Sequence, residues 1–275
     1  MKANGKPERH FSFPSSRRLE RYLGESDAIL EIDELACRFF IDAAGLSGNA
    51  KAFVAECSKK FGVCVNLEEF DAWRAHLAQR HIVAVYESAE RFFKEFRGEH
   101  SELHRRDWTE RKDGMSLIDH ALENAGQSKA EAEEIVGADL IRRFEYYRLV
   151  RNWIVHDKTR KPEKEEDARR HLPQYSDANA VALGRLAAPN SPESLRFDDF
   201  ILFSRVTKLL AERLNVLGKP TEASWISAFD MKPFKALLKN PERLKNAVAG
   251  KLRTEFGMHS EAADWISTNL CDSLA

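Results

Sequence analysis

The 275-residue chain has no long apolar run: the longest, Ile82 to Tyr86, is five residues, against the roughly 20 needed to cross a bilayer. No membrane-spanning segment is therefore expected. Cysteine is scarce, and Cys37, Cys57, Cys64 and Cys271 form no CxxC pair. That argues against a zinc knuckle or a disulfide framework and leaves small core residues in a reducing compartment. The basic first residues have no apolar stretch behind them, so no secretory signal is expected and the cytoplasm is the expected location. Charge of one sign is also missing: 43 Lys+Arg oppose 44 Asp+Glu, a net charge of −1. Attraction to nucleic acid would have to come from local patches. A Gly-rich phosphate loop, an HExxH and a GxSxG elbow are absent as well. His100, Glu102 and His104 are loosely spaced among charged residues, so no metal or other cofactor is expected.

What is present is a composition for a folded core, 43% hydrophobic with 32% charged residues. Gly and Pro number 13 and 9, alternating β-branched stretches are few, and apolar residues recur at spacings of three and four. The expected fold class is all-α. The pattern predicts helices over 26–46, 49–61 and 67–97, the last capped by Asn66. Ser116 with Asp119 and Ser128 with Glu131 open two more. The second of these is expected to run to about Lys158, with Gly137 its weak point. Pro162, Pro173, Pro189 and Pro192 predict mostly loop over 159–197. A helix resumes at Asp198 and stops before Gly218 and Pro220, and three short helices follow, the middle one opened by Asn240 and Pro241.

One segment of the long helix combines the residue types that phosphoryl chemistry uses: Arg151, Asn152, then Trp153, Ile154, Val155 and His156. On a regular α-helix Arg148, Asn152 and His156 share a stripe, whereas Arg151 lies about 140° from His156 around the axis. A single helix is therefore expected not to aim both at one atom, while two crossing copies could. Arg-to-His spacings of similar length recur at Arg74/His81, Arg97/His104 and Arg253/His259. Only Arg151 is followed by Asn, late in a long helix and ahead of three large apolar residues.

The segment resembles the HEPN superfamily, whose ribonuclease members carry Arg, four to six residues, then His near the end of a core helix, often with Asn after the Arg. Arg151, Asn152 and His156 match that pattern, and the likeness covers residues 67–217. It implies an HEPN-like helical bundle flanked by helical extensions, 1–66 and 218–275. It further implies a metal-independent endoribonuclease that acts as a homodimer, in a toxin or antiphage (abortive infection) role, with an antitoxin or other defence-system protein as a partner. Members paired with a nucleotidyltransferase antitoxin carry Tyr two residues after the His; here that position is Lys158. The competing expectation is a catalytically inactive helical domain that binds nucleic acid or docks a protein.

The chemistry has reasons for these types. Cleavage of RNA by its own 2′-hydroxyl needs a base for that proton, an acid for the leaving 5′-oxygen and a cation at the phosphate. A histidine can exchange protons around neutrality, and an arginine stays charged and fits phosphate oxygens bidentately. His156 is then the acid/base, Arg151 the phosphate clamp, and Asn152 the residue that orients the imidazole or the phosphate. Between Asp139 and Lys161 seven positive residues oppose three acidic ones, which makes Arg148 and Lys158 candidate RNA contacts. From Lys232 to Arg253 seven oppose one, so Lys235, Lys239 and Arg243 are candidates to guide the strand.

Overall fold

The computed structural model describes residues 11–65, 72–126, 128–221, 224–225 and 229–273. Among these the chain is all-α, with no strand. No helix is long and apolar enough to cross a membrane among the described residues. The helices are α1 (Pro14–Leu46), α2 (Ala50–Phe61), α3 (Ala72–His104), α4 (Leu117–Ala125), α5 (Lys129–Val136) and α6 (Ala138–Asn152). A π-helical turn (Trp153–Asp157) follows, then α7 (Glu163–Arg170), α8 (Asp177–Leu183), a 3-10 turn (Pro192–Ser194) and α9 (Phe197–Leu217). After a second 3-10 turn (Lys232–Leu237) the chain closes with α10 (Pro241–Phe256) and α11 (Ser260–Asp272).

The caps stand where side-chain chemistry predicts them. The backbone N–H of Ala52 donates to Asn49, that of Asp119 to Ser116, that of Glu131 to Ser128 and that of Arg243 to Asn240. Each satisfies a donor that the first helical turn leaves orphaned. The expected Asn66 cap lies outside the described residues.

Two expectations need correction. α1 begins at Pro14 rather than near Ser26, because proline is tolerated in a first turn. The helix expected from Ser128 to Lys158 is broken at Gly137, whose φ of 93° suits glycine and where a Cβ would meet Asp139 Oδ1 at 2.8 Å. It also ends as an α-helix at Asn152 and continues as the π turn. The stretch 159–197 is mostly loop, as expected, and holds two short helices. α7 carries acids in its first turn and Arg169 and Arg170 in its last, matching the helix dipole.

The chain divides into two compact units: 1–20 with 88–142 and 207–275, and 21–87 with 143–206. In the first, Phe13 packs edge-on to Phe96 at 4.9 Å, and Phe11 and Trp225 flank Phe256. Asn215 accepts from the Phe13 N–H (2.9 Å) and the Ser16 hydroxyl (2.7 Å), tying α1 to α9 within that unit. In the second, Phe144 meets Tyr86 and Phe203, and Tyr147 stacks on Phe203 at 4.8 Å. Beneath them Asp199, wholly buried, accepts from the Tyr147 hydroxyl and Asn190 Nδ2 and from the backbone N–H groups of Asn190 and Arg196. Burial pushes the Asp199 carboxyl pKa up, with those donors opposing.

Candidate active site

The second unit holds Arg151, Asn152 and His156 together. Trp153 is buried, and its indole N–H donates to the Arg160 carbonyl at 2.9 Å. Arg160 in turn bridges Asp157 (2.9 Å) and grips the buried Glu165 through two hydrogen bonds of 2.8 and 3.0 Å. These contacts anchor both ends of the π turn.

The turn changes the geometry of the motif. In a π-helix each bond closes five residues on, so residue i+5 comes to lie over residue i. Arg151 and His156 are five apart, and Arg151 Nη1 lies 3.5 Å from His156 Nε2. That is the outer limit of a hydrogen bond, one in which the guanidinium donates and Nε2 is the lone-pair nitrogen. The expectation that one helix cannot bring the two groups to one place is thereby corrected: it assumed an unbroken α-helix. The same Nη1 donates to Asn152 Oδ1 at 3.2 Å, so Asn152 orients the arginine rather than the imidazole. Behind them the Arg151 guanidinium faces the ring of the buried Tyr86, 5.2 Å from its centroid. His156 is exposed. The arrangement places a cation and an imidazole side by side, the imidazole exposed and the arginine half-buried.

The remaining candidates are distributed differently. Arg148 is bound to Glu145 at 2.7 Å, and Lys158 donates to Gln79 (2.8 Å) and His76 (3.3 Å) on α3. Arg143, buried, donates to the Pro173 carbonyl and covers Tyr175 at 3.6 Å. Much of the positive charge around the motif thus serves the fold. Lys235, Lys239 and Arg243 belong to the other unit, are exposed, and have no side-chain partner among the described residues. Trp108 and Trp225 are buried and Trp265 is exposed.

His100 and His104 stack with centroids 4.1 Å apart. One nitrogen of each ring is engaged by a protein group: Trp108 Nε1 donates to His100 Nδ1, and His104 Nε2 donates to the Gly218 carbonyl. Burial, helped by the His104 charge, pushes the His100 pKa down to about 3.

Sequence reasoning did not find Tyr86, Gln79 or the role of Arg160. Tyr86 read as part of an apolar run, and none of the three carries a local signal of its place beside the motif. No known protein family, no curated protein and no solved structure matches the chain.

Proposed function

We propose that the chain is an endoribonuclease of the HEPN type that needs no metal, cleaving RNA to 2′,3′-cyclic phosphate and 5′-hydroxyl ends. The observation that supports it best is the 3.5 Å approach of Arg151 to His156 on an exposed surface. The phosphate accepts from the Arg151 guanidinium in place of His156 Nε2, which leaves that nitrogen's lone pair to the substrate. His156 Nε2 takes the 2′-hydroxyl proton, the 2′-oxygen bonds to phosphorus, and the bond from phosphorus to the 5′-oxygen breaks. The leaving oxygen needs a proton from the opposite side of the phosphorus, where the same imidazole cannot be. A homodimer supplies one from the second copy's histidine, and water is the other source. Lys235, Lys239 and Arg243, exposed and without a side-chain partner among the described residues, favour an RNA ligand. Such an enzyme in the cytoplasm fits a toxin or antiphage (abortive infection) role, restrained by an antitoxin or defence-system partner.

The test is incubation of the protein and its His156→Ala variant with mixed cellular RNA in excess EDTA, followed by mapping of end groups. Cyclic phosphate ends from the parent alone support the reading. Equal cutting by both proteins, or RNA binding without cutting, refutes it; the second outcome leaves the inactive RNA-binding domain that the same exposed lysines favour.

A further inference from the structure

α1 is apolar on two sides. Leu23, Cys37 and Ala44 are buried against the chain. Roughly opposite them, at 100° per residue, stand Ile32, Leu35, Phe39 and Leu46, with Ile29 at the edge of that face. These are open to solvent, Ile32 at 66%, Phe39 at 77% and Leu46 at 90%. Their spacing is heptad: Ile29, Ala36 and Ala43 take the a positions, and Ile32, Phe39 and Leu46 the d positions. An amphipathic helix of a monomer has one apolar stripe. This one has a second, continuous over 29–46, exposing several hundred square ångströms in one patch, which marks an interaction surface.

We propose that a second copy of this chain covers the face, the two α1 helices running antiparallel. The sequence of the stripe selects that occupant and that direction. Antiparallel a-to-d layers place Ile29 against the partner's Leu46, Ile32 against the partner's Ala43 and Phe39 against the partner's Ala36, and the two-fold axis repeats each contact. Large side chains meet small ones in four of the six layers, so the helices approach closely and the layers interlock. No charged residue enters a layer. A parallel pair would instead stack Phe39 on Phe39, Ala36 on Ala36, and bring two Glu25 carboxylates together at a d position. Full covering of these side chains in both copies would remove on the order of 1,200 Å², the lower end of stable interfaces. This inference does not rest on the ribonuclease reading; if that reading is also right, it names the surface through which two copies are held.

The experiment is sedimentation equilibrium on the full chain and on Ile32→Glu and Phe39→Glu, with circular dichroism as the control for folding. Both side chains are mostly in solvent within one copy, so helix content is expected to stay unchanged, while the unfolding midpoint falls only by the stability that association adds. The parent is expected to be a dimer, and each variant to dissociate with a constant raised about a hundredfold or more. Mixing Ile29→Cys with Leu46→Cys and oxidising is expected to join position 29 to position 46. A parent that stays monomeric at about 100 µM, a dimer indifferent to both substitutions, or cross-links of 29 to 29 would each overturn the proposal. Because the readout is mass rather than RNA cleavage, its failure and the failure of the catalytic reading are separable.

Discussion

Arg151 Nη1 stands 3.5 Å from His156 Nε2, a pairing that an α-helix would prevent and that the π turn over Trp153–Asp157 creates. On the proposed ribonuclease reading, both groups at the phosphate therefore come from one chain. With cleavage measured in EDTA, His156→Ala and Arg151→Ala are each expected to lower the rate by about 10² or more. Arg151→Lys is expected to recover only part of the loss, since a point charge cannot hold two phosphate oxygens at once.

Whether the working pair lies within one chain or across two is decided by mixing. If Arg151 works with the His156 of its own chain, a mixture of Arg151→Ala and His156→Ala proteins stays inactive. If the pair were shared between copies, mixed dimers would restore about one quarter of the activity. Inactivity of the mixture, with dimers confirmed by light scattering, is the expected result.

The π turn depends on the Trp153 indole bond to the Arg160 carbonyl. Trp153→Phe keeps an aromatic ring in the buried position and removes that donor. The expected outcome is a loss of about 1 kcal/mol in stability by urea unfolding, with a proportionally greater fall in cleavage as Arg151 and His156 move apart.

Asp199 is the polar centre of the second unit. Asp199→Ala leaves the Tyr147 hydroxyl, Asn190 Nδ2 and two backbone N–H groups without their acceptor. The expected cost is about 3 kcal/mol or more, read from the denaturant midpoint at constant slope.

His100 makes stability depend on pH. Its folded pKa of about 3 lies below the unfolded value of 6.5, so between those values the unfolded chain binds the extra proton. The stability contributed by the neutral ring is present above pH 6.5 and is lost as pH falls towards 3, at up to about 1.4 kcal/mol per unit. His100→Asn keeps an acceptor for the Trp108 N–H and does not titrate in this range. Parent and variant should therefore converge in stability, or cross, as the pH is lowered from 7 to 4.

Much of the fold was legible along the chain, because caps and helical periods are local. Asn49, Ser116, Ser128 and Asn240 each marked a helix start, since a side-chain oxygen within three residues of an orphaned N–H needs no distant partner. The residue types at Arg151, Asn152 and His156 were equally visible. Tertiary structure decided how they meet. A π turn differs from an α turn by one residue per bond, a choice set by where Trp153 is buried and by Arg160 reaching Asp157 and Glu165. It also decided which charges remain available, engaging Lys158 with Gln79 on α3 while leaving Lys235, Lys239 and Arg243 in solvent. Local sequence determines hydrogen bonds that close within a turn; which face is covered and which charge is neutralised depends on chain segments far away in sequence.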